Sequence, residues 1–202
     1  MKLNNREKLI VIVIIAISAL FFSQLLSKDY KGPDYLPDPI QKNLSSKQYL
    51  DIETKAGNIK VELVASYEVH AGVRGRKNYS SDYPSRISPM DLILAWGDLN
   101  QPKLVEAVKY RQSGRWYYYN LNPDAPVTVS HVGQHSSNTH IIPANAEVLK
   151  KLKTVKENSV VLISGYLVNV IFENGPWSTS LSRTDTGDGA CEILLVETIT
   201  VN

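Results

Sequence analysis

The sequence predicts an α+β fold that is mainly β, with an N-terminal transmembrane helix followed by a small curled β-sheet domain. Three observations predict it: an uncharged apolar segment near the N-terminus, two long β-branched runs at residues 160–172 and 193–199, and a glycine, Gly165, within the first run. A glycine inside a strand is typical of a bend or bulge, as where a small sheet curls. We therefore expect a partly closed barrel or a sandwich, with about three short helices beside the membrane helix.

Residues 9–26 predict the membrane-spanning helix. These 18 residues contain no charged side chain, and at about 1.5 Å each they give roughly 27 Å of helix, close to the thickness of a bilayer core. Lys2, Arg6 and Lys8 precede the run against one acidic residue, Glu7, so residues 1–8 are expected in the cytoplasm. No small-residue cleavage site closes the run, which favours an uncleaved signal-anchor; a cleaved secretory signal is the alternative.

The remaining chain divides into a spacer at residues 27–47 and an extracytoplasmic β-rich domain at residues 48–202. Residues 29–39 contain three prolines, which restrict the backbone and lack a hydrogen-bond donor, so an extended segment is expected there. The predicted location is a single-pass membrane protein with a cytoplasmic N-terminus, in contact with the membrane through residues 9–26.

Charge and cysteine content argue against a nucleic-acid-binding domain and against a fold stabilised by disulfides. Outside residues 1–8 the chain carries as many basic as acidic residues, whereas a nucleic-acid-binding domain concentrates positive charge, so no nucleic acid is expected as a partner. Cys191 is the only cysteine, which excludes an internal disulfide and leaves the hydrophobic core to stabilise the fold.

Local sequence patterns predict the following strands and helices in the first half of the chain. Alternating polarity predicts strands at residues 49–54 and 59–69, followed by a loop at residues 70–84. Ser88-Pro89-Met90-Asp91 has the residue types of a helix start and predicts a short helix over residues 92–96, which Gly97 ends. A second short helix is predicted at residues 102–108.

The second half of the chain predicts more strands than helices. Asn145 is a predicted N-cap of a short helix whose acidic residue lies in the first turn and whose lysines lie in the last. Asn174-Gly175 predicts a tight hairpin turn. The predicted strands are residues 110–112, 116–121, 127–130, 160–172 and 193–199.

An aromatic run follows Arg115. In a strand, Trp116 and Tyr118 share one face and Tyr117 and Tyr119 share the other. Such rings suit stacking on a sugar or base, and the alternative is that they only fill the two faces of a strand.

Three histidines, His131, His135 and His140, lie within ten residues. Imidazole nitrogens bind zinc, so zinc is an alternative to the expected absence of a cofactor. A helix through residues 131–138 is not expected because glycine, serine and asparagine interrupt it, and in a strand His131 and His135 would lie roughly 13 Å apart. The other interpretation is that His135 and His140 bond to the backbone.

Cys191 is the one candidate nucleophile of the cysteine type. A histidine and an acid would activate it, with His135 or His140 and Asp185 or Glu192 as the available residues. Its apolar neighbours favour a buried, inert thiol instead. Asp185-Thr186-Gly187 also has the triplet of aspartic proteases, but the flanking residues are polar and no second triplet exists.

Residues 178–192 combine hydroxyl, basic and acidic side chains with glycines and link two apolar strands. We expect Arg183 to be mostly buried and paired with Asp185, Glu192 or both, because a buried guanidinium without a partner is costly. The predicted binding residues are His135, Asn138, His140, Ser180, Arg183, Asp185, Glu192, Trp116 and Tyr118.

The preferred functional hypothesis is a membrane-anchored extracytoplasmic binding or assembly domain of the cell envelope, whose partner is a protein or an envelope component. The alternative is an envelope hydrolase that uses either Cys191 or the cluster of His131, His135 and His140.

Overall fold

The computed structural model describes residues 30–55, 57–185 and 187–202. The predicted membrane helix at residues 9–26 lies outside the described residues. Within the described ranges, no helix is long and apolar enough to span a membrane.

The described part of the chain is mainly β, as predicted, with nine strands and three short α-helices. The strands are β1 (Ile40–Thr54), β2 (Gly57–Asn78), β3 (Met90–Ala95), β4 (Val108–Ser113), β5 (Trp116–Leu121), β6 (Ser136–Pro143), β7 (Val160–Phe172), β8 (Gly175–Trp177) and β9 (Ile193–Val201). The α-helices are α1 (Pro102–Ala107), α2 (Val129–Gln134) and α3 (Ala146–Leu152), and short 3-10 turns occur at Tyr83–Arg86 and Asp98–Asn100.

Seven strands form one sheet in the order β1-β2-β3-β6-β9-β7-β8, and an additional pairing of β2 with β7 closes part of it. The long strand β2 makes the closure, because residues 60–72 pair with β7 and residues 72–78 pair with β3. Strands β2, β3, β6, β9 and β7 therefore form a ring. Only the β6–β9 pair in this ring is parallel. The expected curled sheet is confirmed.

Gly165 marks a bulge, as expected. The β7–β9 register shifts between Ser164 and Gly165, and a Cβ atom at Gly165 would overlap the backbone carbonyl oxygen of Leu195. Glycine is required at this position because the backbones of β7 and β9 approach too closely for a side chain.

The ring encloses the largest of three hydrophobic cores in the described part of the chain. Alternation along β3 directs Leu92, Leu94 and Trp96 into it. A second core, which includes Ile142 and Ile193, lies on the other side of the sheet wall. The wall between β3 and β6 is therefore buried on both faces, which is the setting of the polar cluster described below.

Several predicted elements are confirmed. Helix α1 follows the predicted range closely, and β4 pairs with β5 across the expected turn. The Asn145 side chain accepts a hydrogen bond from the Val148 amide and so caps α3. Strands β7 and β8 pair across Glu173 and Asn174.

One helix prediction and one strand prediction are wrong. Residues 90–95 form β3 rather than the start of a helix, since every residue of the segment is buried and its backbone pairs with β2 and β6. Burial between two strands overrides the local capping pattern. The strand predicted at residues 127–130 is replaced by α2, which Thr128 caps by accepting from the His131 amide.

The first half of the domain also contains more β-strand than predicted. Strand β2 continues to Asn78 through the range expected to be a loop. Strand β1 begins at Ile40, inside the predicted spacer, and Leu36 is buried and forms a β-bridge with Gly97. The folded domain therefore begins before residue 48.

Candidate functional site

Strand β6 builds the centre of the site. Residues 136–140 are five consecutive polar residues, and all five are buried. Pairing with β3 sets Ser137 and Thr139 opposite inward-facing leucines, while Asn138 and His140 lie on the outer face of the wall. Polar side chains on a fully buried strand need hydrogen-bond partners on both faces of the sheet. A cavity lies next to each of these faces.

The larger cavity has a volume of about 650 Å³ and lies between residues of β5, α2, the start of β6 and the loop at residues 178–192. We call it the mouth cavity. The residues that matter to its chemistry are Trp96, Trp116, Tyr117, Arg183, Asp185 and Glu192.

Arg183 is only half-buried, and the predicted ion pair is not formed. Its Nη1 donates to the hydroxyl of Tyr67 at 3.2 Å, and its guanidinium carbon lies 5.4 Å from the ring centroid of Trp96 and 5.5 Å from that of Tyr67. No described carboxylate forms a salt bridge with it. Asp185 instead accepts a hydrogen bond from Ser180 Oγ at 2.6 Å, so the predicted partner stabilises the loop itself.

Glu192 is the buried carboxyl group of the mouth cavity. It is 4% exposed, and its Oε2 atom has no hydrogen-bond partner among the described residues. Burial raises the pKa of Glu192 to about 7, because a low-dielectric environment disfavours the charged form. The indole Nε1 of Trp96 is likewise buried and lacks a partner in the described part of the chain. Buried polar atoms without partners are uncommon and mark places where a ligand or water can bind.

A second set of buried polar residues lies on the outer face of the wall. We call Asp82, Asp91, Arg115, Asn138 and His140 the outer network. Asp91 Oδ1 accepts from Arg115 Nη1 at 2.8 Å and from His140 Nδ1 at 2.9 Å, while Asp91 Oδ2 accepts from Asn138 Nδ2 at 3.4 Å. Arg115 also donates to both carboxylate oxygens of Asp82, at 2.6 and 3.1 Å. Hydrogen bonds from Arg115 lower the pKa of Asp82.

A smaller cavity of about 170 Å³ lies beside the outer network. Both His140 and Cys191 line it, and the ring of His140 packs 4.8 Å from that of Trp177. Because Nδ1 of His140 is held by Asp91, Nε2 is the nitrogen left without a hydrogen bond to the described residues. Cys191 lines both cavities, and burial raises the pKa of its thiol to about 12, so the thiol is protonated at neutral pH.

The three clustered histidines separate in the structure. His131 and His135 lie on or beside α2, with rings stacked at 4.2 Å, so the expectation that no helix forms there is wrong. His131 Nε2 lies 2.7 Å from Asp98 Oδ1, and His135 Nδ1 lies 2.9 Å from the backbone oxygen of His131. His140 bonds to Asp91 rather than to the backbone. The described residues contain no group of three or more histidine, cysteine, aspartate or glutamate side chains placed to hold a metal ion.

The predicted binding residues fall into four groups. Trp116, Arg183, Asp185 and Glu192 line the mouth cavity, and Asn138 and His140 belong to the outer network. Ser180 supports the loop. His135 and Tyr118 lie elsewhere, the first beside Gly97 and the second on an exposed face under Arg111.

Seven residues of the site were not predicted to bind: Tyr67, Asp82, Asp91, Trp96, Arg115, Tyr117 and Trp177. One of them carried a usable signal. Asp91 is the only charged residue in an otherwise apolar segment, residues 90–96, and a charge in such a run is typical of a buried, paired group. The others are recognisable only once the strands are paired.

No family model, curated protein or solved structure matches the chain. Function is therefore inferred from the chemistry of the two cavities.

Proposed function

We propose that this protein is a membrane-anchored extracytoplasmic binding domain of the cell envelope, and that the mouth cavity holds its ligand. The observation that carries the proposal is the cavity itself. Its volume of about 650 Å³ falls within the range typical of small-molecule sites, which are concave, largely apolar and equipped with a few polar groups. Here the polar groups are Arg183, which lacks a salt bridge to the described carboxylates, and two buried atoms without partners, on Trp96 and Glu192.

The arrangement of the strands supports the same location. The ring order β2-β3-β6-β9-β7, with a parallel β6–β9 pair and helix α3 between β6 and β7, resembles the Greek-key barrel of OB-folds. OB-folds bind ligands on the face of their second and third strands and between two flanking loops. The corresponding parts here are β3, β6, and the loops at residues 79–89 and 178–192. The second loop lines both cavities, and Pro84 of the first loop lines the smaller one. This is an analogy of fold, and the site's own chemistry must identify the ligand.

Binding in the mouth cavity is testable without knowledge of the natural ligand. We expect a mixture of small aromatic fragments of all charges to contain members that bind the full-length protein, observed by saturation-transfer NMR. Ala190 lines the cavity, and Ala190→Trp should fill it and remove that binding. Ala146→Trp, on the exposed side of α3, is the matched control. Equal binding to wild type and both variants would place the fragments elsewhere and overturn the proposal.

The anchoring part of the proposal predicts topology. A reporter fused after Asn202 is expected to be active only outside the cytoplasm, since the positive charges before residues 9–26 retain the N-terminus inside. Full-length protein should be found in membrane fractions. A soluble form that begins near residues 24–29 would instead show that the segment is a cleaved signal.

The second candidate function is an envelope hydrolase with Cys191 as the nucleophile. One observation favours it: His140 is oriented by Asp91 and lines the same cavity as Cys191, and a histidine held by an acid is the arrangement that activates a nucleophile. The version that uses all three histidines loses its geometric basis, because His131 and His135 lie apart from His140.

The reactivity of Cys191 distinguishes the two functions. Burial raises the pKa of the thiol to about 12, so we expect iodoacetamide to alkylate Cys191 at neutral pH more slowly than it alkylates free cysteine. Mass spectrometry of the intact protein measures the rate. Alkylation faster than that of free cysteine, and slowed by His140→Asn, would favour the hydrolase.

A further inference from the structure

We propose that the ligand of the mouth cavity is an anion, in which a carboxylate or phosphate group is carried next to an apolar ring. This inference rests on the proposed binding function and names the chemical class of the ligand.

Arg183 supplies the guanidinium of the cavity. Arg183 donates one hydrogen bond, to the Tyr67 hydroxyl, and forms no salt bridge with the described carboxylates. A guanidinium offers further N–H donors in a planar fork that matches the oxygens of a carboxylate or phosphate. Contacts with the rings of Trp96 and Tyr67 hold the fork in place before a ligand arrives, which lowers the entropy lost on binding.

Two carboxyl groups, those of Asp185 and Glu192, line the cavity with Arg183, and neither forms a salt bridge with it. Burial raises the pKa of Tyr67 and of Tyr117, so both phenols are neutral near pH 7. Asp185, on the loop, is exposed and bonded to Ser180. Glu192, on the strand side, has a pKa of about 7 because of burial and is therefore protonated in a large fraction of molecules at neutral pH.

The atoms available to a ligand are mainly donors. Trp96 Nε1 can only donate, and it has no partner among the described residues. The protonated form of Glu192 also donates, from its carboxyl group. Both residues line the cavity with Arg183, and the Trp96 Nε1 and Glu192 Oε2 atoms are themselves buried. A cationic ligand would face the guanidinium, and a neutral one would leave its charge without a partner.

The other surfaces of the cavity are aromatic. Trp96, Trp116 and Tyr117 all line it, and flat rings pack against such side chains in offset or edge-to-face arrangements. A ligand with an apolar ring next to its anionic group would fill this space while its oxygens reach Arg183.

Proton uptake should accompany binding. An anion beside Glu192 disfavours the ionised carboxylate and so raises its pKa further. Ligand affinity is then expected to fall as pH rises through the pKa of Glu192, because the unliganded protein loses a proton that the complex retains.

The test uses three probes of nearly equal shape: benzoate, benzamide and benzylammonium. Each is titrated into the full-length protein, and the indole resonance of Trp96, identified by its loss in Trp96→Phe, reports occupation of the cavity. We expect benzoate to bind about tenfold or more tightly than benzamide, which corresponds to one charge-assisted contact. Benzylammonium should not bind.

The outcomes separate this inference from the proposed function. Equal or tighter binding of benzamide or benzylammonium at Trp96 overturns the anion inference and leaves the binding function standing. No response to any probe, under conditions in which the fragment mixture binds and Ala190→Trp abolishes that binding, also overturns the anion inference. If the fragment mixture fails as well, the proposed function fails with it.

Two variants test the assigned roles. Arg183→Met should abolish the preference for benzoate, whereas Arg111→Met, which removes an arginine packed over Tyr118 outside the cavity, should not. Glu192→Gln should flatten the dependence of benzoate affinity on pH between about pH 6 and about pH 8. An unchanged preference in Arg183→Met, or an unchanged pH profile in Glu192→Gln, contradicts the role assigned to that residue.

Discussion

Replacing Asp91 with alanine is expected to destabilise the domain by about 3–5 kcal/mol, the usual cost of removing one partner of a buried ion pair. Asp91 is completely buried and accepts hydrogen bonds from Arg115, His140 and Asn138. Without its carboxylate, the guanidinium of Arg115, whose side chain is 13% exposed, retains one carboxylate partner, Asp82, and its hydrogen bonds to Ser88. Urea unfolding at neutral pH measures the change in the free energy of unfolding.

An exposed ion pair provides the control for Asp91. Asp51 pairs with Lys60 at 3.6 Å, and about half of each side chain is exposed, so Asp51→Ala should cost less than about 1 kcal/mol. Asp91→Asn keeps an oxygen acceptor of the same shape and should lie between the two alanine variants. If Asp91→Ala costs no more than Asp51→Ala, the outer network does not stabilise the fold.

The features of the fold that the sequence predicted correctly arise mainly from residues that are close together in the chain. The β4–β5 hairpin, the Asn145 cap and the bulge at Gly165 arise from short-range patterns, and each was predicted correctly. The segment at residues 88–96 also had a short-range pattern, of a helix start, but pairing with β2 and β6 decides its conformation. Tertiary context overrides local propensity most readily in buried strands.

The candidate site was harder to predict because its contacts join distant parts of the chain. Asp91 and His140 are 49 residues apart, and Arg183 and Tyr67 are 116 apart. Proximity in sequence suggested Asp185 as the partner of Arg183, yet Asp185 bonds to Ser180 within the same loop. The sequence did indicate the loop at residues 178–192 as the unusual segment, since its polar composition exceeds what a simple turn requires.

The second large effect is expected from Glu192, whose burial makes the stability of the domain depend on pH. Its pKa is about 7 in the folded protein, against an ordinary value of 4.5. Below the ordinary value the carboxyl group is protonated in both states and makes no difference. As pH rises from 4.5 towards 7 the unfolded chain loses this proton while the folded protein retains it, so the contribution of Glu192 to stability falls. Above the folded pKa the full cost applies, on the order of 3 kcal/mol.

Glu192→Gln removes that dependence and is therefore expected to be more stable than wild type at about pH 8, by up to roughly 3 kcal/mol, and nearly equal to it at about pH 4. Urea unfolding of both proteins across this range isolates Glu192 from the other carboxylates, because only the difference between the two proteins is compared. Glu197→Gln, at an exposed position on β9, the strand that follows Glu192, should show no such difference. Lower stability of Glu192→Gln at the higher pH would mean that the folded protein stabilises the ionised carboxylate. That result would indicate an attraction between Glu192 and Arg183, as their sequence positions first suggested. An ionised Glu192 cannot donate a hydrogen bond, so the mouth cavity would have one donor fewer for an anion.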